Sequence, residues 1–237
     1  MNVTGFLKQT YIDFPNKIAS AVFVGDCNYA CPSCHAKPLL TAKRIEENEI
    51  FAYLDRAKGF IDGVVICGGE PTTQKDLPEF ARKIKEMGLA VKLDTNGSNP
   101  EMLRQLKEDK NIDYLAMDVK GPWDLYPMLV GKSEKENVER SMRIAMDFPE
   151  YEFRTTIVPV YKNGKAEWLS QEDMNRMKKW ILDTTGKTHR HYLQKFVARH
   201  EDEMMSSMLA KENLPKDMWE TPTVILHSLQ SGFLLRE

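Results

Sequence analysis

Short apolar blocks alternate along this chain with stretches whose apolar residues recur every three or four positions. Ala21-Val22-Phe23-Val24 and Val64-Val65-Ile66 are blocks of the kind a sheet buries on both faces. On this pattern strands are predicted at 19–24, 63–67, 90–94, 114–118, 152–158 and 191–196. Between them lie amphipathic runs near 45–58, 77–87, 101–107, 134–147 and 171–183, with Phe80, Ile84 and Met87 on one helical face. Strands that alternate with helices predict an α/β fold whose parallel sheet curls into a partial (β/α)6 barrel. Residues 1–199 make that barrel. Residues 200–237 are expected as a C-terminal helical extension packed on the same domain. Met204, Met205, Met208 and Leu209 would be its apolar stripe, packed on the barrel edge or offered to a partner.

The remaining composition narrows the setting. The chain has 237 residues, 42% of them hydrophobic, enough for one well-packed core. A net charge of −2 gives no electrostatic case for nucleic acid. No apolar run reaches the length needed to cross a membrane. Four cysteines without a secretory leader before them fit a reducing cytoplasm better than a disulfide framework.

Three of those cysteines carry the first chemical signal. Cys27-Asn28-Tyr29-Ala30-Cys31-Pro32-Ser33-Cys34 follows a predicted strand with the spacing C-x3-C-x2-C. Three thiolates suit three irons of a four-iron cluster and leave the fourth iron open for a small molecule. A Cys3His zinc set with His35 is the rival, although adjacent Cys34 and His35 fit one ion awkwardly. Gly68-Gly69-Glu70-Pro71 ends the next strand. Two glycines there would let a ligand approach the backbone, and Glu70 would offer an acceptor to a cation. Cys67 lies inside the strand and reads as a small buried hydrophobe.

Other polar residues cluster at strand ends, where α/β folds bind ligands. Asp118 and Lys120 alternate with Met117 and Val119, so both face the barrel interior, as a ligand site or as an ion pair. Asp94 and Asn96 precede Gly97 and also suit an ordinary Asx turn. Arg154 shares a strand face with Thr156, a place that suits a ligand contact or a tie across the barrel. His189 and His191 read as structural.

Together the cysteine loop and Gly-Gly-Glu-Pro resemble the radical S-adenosylmethionine (SAM) superfamily. The run Gly5-Phe6 through Tyr11-Ile12-Asp13-Phe14-Pro15 leads into that loop. Leu93-Asp94-Thr95-Asn96-Gly97, Met117-Asp118-Val119-Lys120 and Phe153-Arg154-Thr155-Thr156 follow in order. With these, the resemblance narrows to the activating proteins of anaerobic ribonucleoside-triphosphate reductase, over residues 5–196. It implies a 4Fe–4S cluster on Cys27, Cys31 and Cys34, with SAM on the open iron. It further implies SAM contacts from Gly68, Gly69, Glu70, Pro71, Asp94, Asn96, Asp118, Lys120 and Arg154, with Ser33 and His35 passing the adenine. Asp118 would meet the SAM amine, Lys120 its carboxylate, and Asp94 and Asn96 its ribose.

The implied activity is reductive cleavage of SAM to a 5′-deoxyadenosyl radical that generates a glycyl radical on the reductase. Flavodoxin or ferredoxin would supply the electron. A radical SAM enzyme acting on a small molecule or peptide, for example in deazapurine synthesis, is the alternative. A non-catalytic zinc-binding module is the remote one. Ser33 stands where that family often has an aromatic residue.

Overall fold

The structure is a computed structural model that describes residues 1–162 and 165–197, together with the strand at 233–236; at 161, 162 and 233–236 it describes the backbone alone. Its main sheet has the order β1-β2-β3-β4-β5-β6-β9-β10. The central strands are β2 (Ala19–Val24), β3 (Gly63–Gly68), β4 (Ala90–Thr95), β5 (Tyr114–Asp118), β6 (Glu150–Ile157) and β9 (His191–Lys195), all parallel. At one edge β1 (Val3–Thr10) runs antiparallel to β2. At the other β10 (Phe233–Arg236) runs parallel to β9. The crossovers carry α2 (Glu47–Ala57), α3 (Leu77–Glu86), α4 (Pro100–Glu108), α6 (Lys135–Ala145) and α7 (Gln171–Thr185). Short helices α1 (Lys37–Thr41) and α5 (Tyr126–Val130) follow the cysteines and β5.

Each strand divides its side chains by period two. Val22, Val24, Val64, Ile66, Val91, Leu93, Leu115 and Met117 point outward into one large core with the helices' Leu54, Phe80, Ile84, Leu103 and Met142. The inner face is different. Phe14, Ala19, Ala21, Val65, Tyr114 and Ala116 form a small apolar floor. Beyond it the inner positions of β4, β5 and β6 carry Lys92, Asp94, Asp118, Glu152 and Arg154. Helix ends follow local chemistry: Ser170 and Asp173 make a capping box at the start of α7, and left-handed Gly186 ends it.

The α/β partial barrel matches the expectation, with differences at its margins. The parallel strands number seven, not six, because β10 joins them. Within 200–237, expected as a helical extension, 233–236 is therefore a strand; Met204, Met205, Met208 and Leu209 lie outside the described residues. Strand β1 was not foreseen because its middle residues are exposed and its alternation is weak. A separate hairpin of β7 (Pro159–Lys162) and β8 (Lys165–Trp168) also interrupts the β6–α7 connection. Among the described residues no helix is long and apolar enough to cross a membrane.

His191, at the start of β9, sets a pH test. Its Nε2 meets the Thr155 hydroxyl at 2.8 Å, and that hydroxyl donates to the Val119 carbonyl. The ring nitrogen therefore carries the proton and donates. Burial pulls the His191 pKa from 6.5 down to about 3. Below pH 6.5 the unfolded chain takes up a proton that the folded chain refuses. Stability from this group is thus complete above about pH 6.5 and falls toward pH 3 by about 1.4 kcal/mol per unit. Denaturant titrations of His191→Gln should show a stability slope shallower by one proton over pH 4–6; an unchanged slope would contradict the neutral, buried assignment.

Candidate active site

A cavity of about 510 Å³ opens at the C-terminal ends of the strands. Of the site residues predicted from sequence, all but Pro71 line it. Cys27, Cys31, Cys34, Ser33 and His35 come from the loop after β2; Gly68, Gly69 and Glu70 from the end of β3; Asp94 and Asn96 from β4; Asp118 and Lys120 from β5; Arg154 from β6. Pro71 is buried outside the cavity, where it starts a 3₁₀ turn at Pro71–Thr73. Asp13, Phe23, Thr156 and Phe196 also line the cavity and were not predicted. Asp13 sits in the 11–15 motif, which was the one signal for it.

The cysteine loop is fastened on three sides. The Gly69 amide donates to Val24 O at 2.8 Å and the Glu70 amide to Asp26 O at 2.7 Å. Asn28 donates to the Ser98 hydroxyl at 2.8 Å and accepts from Asn96 Nδ2 at 3.0 Å. The Ala30 amide donates to the Val130 carbonyl, at the end of α5, at 3.1 Å. The glycines serve the first fastening. A Cβ on Gly69 would lie 2.0 Å from the Asp26 carbonyl oxygen, and left-handed Gly68 (φ +102) abuts the Val24 backbone. The close approach expected for a ligand is here made by the chain that leads into Cys27.

All three loop cysteines are free thiols. The Tyr29 amide points at Cys27 Sγ (3.5 Å) and the Ala36 amide at Cys34 Sγ (3.3 Å), as suits sulfurs that bear charge when they ligate iron. Burial pushes the Cys31 thiol up to about 11, and the Lys120 ammonium works against it. Burial also raises Cys27. Among the described residues no three His, Cys, Asp or Glu side chains lie close enough together to hold a single metal ion. Three thiols on one loop at the mouth of a polar cavity do fit a cubane, which takes its thiolates at separate corners. Burial, with the Asp94 carboxylate adding to it, keeps the Cys67 thiol protonated.

Two of the residues expected to contact a ligand also bond within the protein. The Glu70 carboxylate is fully buried. It accepts from the Thr72 amide (3.1 Å), the Thr72 hydroxyl (2.6 Å), the Thr95 hydroxyl (2.7 Å) and the Asn96 amide (2.6 Å). Burial raises its pKa and these bonds lower it. Glu70 thus locks the end of β3 to the end of β4. Asn96 Oδ1 accepts from the Ser98 amide at 2.9 Å, the geometry of an Asx turn, and its Nδ2 is taken by Asn28.

Beneath the cysteines, charges alternate across three strands. Arg154 Nη1 donates to Asp94 Oδ2 at 2.9 Å and its Nε to Asp118 Oδ1 at 3.1 Å. Lys120 donates to Asp118 Oδ2 at 2.7 Å, and Lys92 donates to Asp94 Oδ1. Ala116, in register with Asp94, is small enough for the guanidinium to pass over β5. Burial disfavours both carboxylates' charges, yet Arg154 with Lys92 holds Asp94 below the usual range, and Lys120 with Arg154 does the same for Asp118. The Lys120 ammonium is held above its ordinary value by Asp118 against the cost of burial. Arg154 therefore ties the barrel together while its Nη2 carries no hydrogen bond to the described residues. Lys92 was missed, though its place two residues before Asp94 puts it on the inner face.

Residues 22–169 match the radical SAM superfamily. The chain belongs to that superfamily. It is 35% identical to the "Putative glycyl-radical enzyme activating enzyme" of Methanocaldococcus jannaschii, over 89% of this chain and 87% of that protein. A shorter match, 38% identical, joins 40% of this chain to 25% of the Fe-coproporphyrin III synthase of Methanosarcina barkeri. The fold resembles that of Streptococcus suis SuiB bound to S-adenosylmethionine (TM-score 0.64, 13% identity, 90% of this chain, 48% of that one). It also resembles anSMEcpe with bound AdoMet (TM-score 0.53, 18% identity, 73% of this chain, 49% of that one). The chain spans about half the length of these solved structures. Membership in the radical SAM superfamily brings with it a 4Fe–4S cluster and SAM.

Two substitutions separate the roles at this rim. Gly69→Ala should displace the Asp26 backbone and cut iron incorporation on anaerobic reconstitution. Lys120→Ala should keep the cluster spectrum and weaken SAM binding by about ten- to a hundredfold, the worth of one charge-assisted hydrogen bond. Full iron loading of Gly69→Ala, or wild-type SAM affinity in Lys120→Ala, would contradict these placements.

Proposed function

We propose that this radical SAM enzyme is an activase that generates a glycyl radical on a partner protein, an anaerobic ribonucleotide reductase, with flavodoxin or ferredoxin as electron donor in the cytoplasm. The observation that carries this reading is the 35% identity over 89% of the chain to a protein named for glycyl-radical enzyme activation. Cys27, Cys31 and Cys34 would hold the cluster, with no role for Cys67. Lys120 and the free Nη2 of Arg154 would face the SAM carboxylate, and Asp118 its amine. Ser33 and His35 would border the adenine, and Asp94 the ribose. The backbone of Gly68-Gly69, rather than the Glu70 carboxylate, would line the methionine end. Cluster and SAM together supply a one-electron cleavage of the sulfonium that yields a hydrogen-abstracting radical. The chain's own part is to orient SAM and to keep water from the cavity while a glycine Cα–H of the partner gives up its hydrogen atom.

A small-molecule target is the second reading. It draws support from the match to Fe-coproporphyrin III synthase, which reaches only 40% of this chain.

The test is paramagnetic resonance. Reconstituted protein, SAM and a reductant, incubated with a co-expressed anaerobic reductase, should give a glycyl-radical doublet on the reductase. The doublet should vanish when the reductase's radical-site glycine is replaced by alanine. SAM cleavage without a doublet, together with turnover of a free small molecule, would overturn the activase reading.

A further inference from the structure

Lys92 is unlike the other members of the charge ladder. It does not line the cavity, and its side chain is 1% exposed. A buried ammonium costs several kcal/mol unless it is well paired. Among the described residues it meets the Asp94 carboxylate and the Tyr114 ring, 5.9 Å from Nζ. Tyr114 is in register with Lys92 on the neighbouring strand and hydrogen-bonds Glu152.

The oxygens show what this charge does. Lys92 takes Asp94 Oδ1, so Arg154 Nη1 is left with Oδ2. Arg154 Nε takes Asp118 Oδ1, so Lys120 is left with Oδ2. Each carboxylate bridges two cations, one per oxygen. If Lys92 let go, Oδ1 would lose the donor the structure gives it. The nearest remedy is a two-toothed pairing of Asp94 with Arg154, which suits a guanidinium. That would rotate Arg154 away from Asp118 and take Nη2 from the cavity, and Lys120 would lose the fixed Asp118 that aims it.

We propose that Lys92 is a positioning residue for ligand binding: through Asp94 it fixes Arg154, Asp118 and Lys120 in the orientation that receives the carboxylate of SAM, without touching SAM itself. This rests on the SAM placement proposed above, with Lys120 and Arg154 at the carboxylate, and not on the activase reading, because no substrate protein enters the test.

The test compares two ligands on reconstituted protein. SAM carries a carboxylate; methylthioadenosine shares the adenosine and lacks the amino-acid end. Lys92→Met should keep the cluster absorption and weaken SAM by about tenfold or more beyond any change in methylthioadenosine, whose ribose would also meet Asp94. Lys92→Arg, which keeps a charged donor for Asp94, should restore most of the SAM affinity. If Lys92→Met does not fold, Lys92→Gln replaces it in the same comparison. Unchanged SAM affinity in the folded neutral variant would overturn the proposal. So would equal weakening of both ligands, which would mark a packing defect, or no rescue by a folded Lys92→Arg.

Discussion

Gly69 and Glu70 donate their amides to Val24 and Asp26 across a gap too narrow for a Cβ. That contact places the first cysteine. Asp26 is followed at once by Cys27, so these two backbone hydrogen bonds help to set the height of the cysteine loop above the sheet. Glu70 then carries the same constraint sideways, binding the ends of β3 and β4 with a carboxylate that never meets solvent. Asn28, Asn96 and Ser98 close the frame. Residues usually read as ligand contacts thus hold the place where a ligand goes.

The interior beneath this frame is polar for a reason of the same kind. The outer face of the sheet buries branched aliphatic residues against helices and supplies the driving force for folding. The inner face has only a small apolar floor. Above it, space between strands is filled by oppositely charged side chains that satisfy one another. Such an arrangement is weak evidence for stability, since desolvation offsets much of the attraction. Its value lies in holding Lys120 and Arg154 still in the lining of the cavity.

The central strands, the helical crossovers and the shared rim were legible in the sequence, because each rests on a local signal. Period two located the inner charges, and strand–helix alternation located the ends where they meet. What was not legible depends on contacts between distant segments. Nothing in Gly68-Gly69 says that its close neighbour is Asp26 rather than a ligand. Nothing near Glu70 says that Thr95 and Asn96 consume its carboxylate. Asn96 satisfied both readings, and nothing beside it points to its Asn28 and Ser98 partners. Lys92 was visible in principle, but a lone lysine in a strand carries no signal until its carboxylate partner is placed. Strand β1 and the β7–β8 hairpin are short or half exposed, so their patterns fade into those of loops.

In the proposed site Cys27, Cys31 and Cys34 would hold one cluster, and SAM would lie over the alternating charges. The most direct measurement is the paramagnetic resonance spectrum of the reduced, reconstituted protein, recorded with and without SAM. One cubane requires about four irons per chain. The signal should change shape when SAM is added, in wild type and in Cys67→Ala alike, and should be missing from Cys31→Ala. Zinc in place of iron, a spectrum indifferent to SAM, or a cluster that needs Cys67 and survives loss of Cys31 would contradict this arrangement.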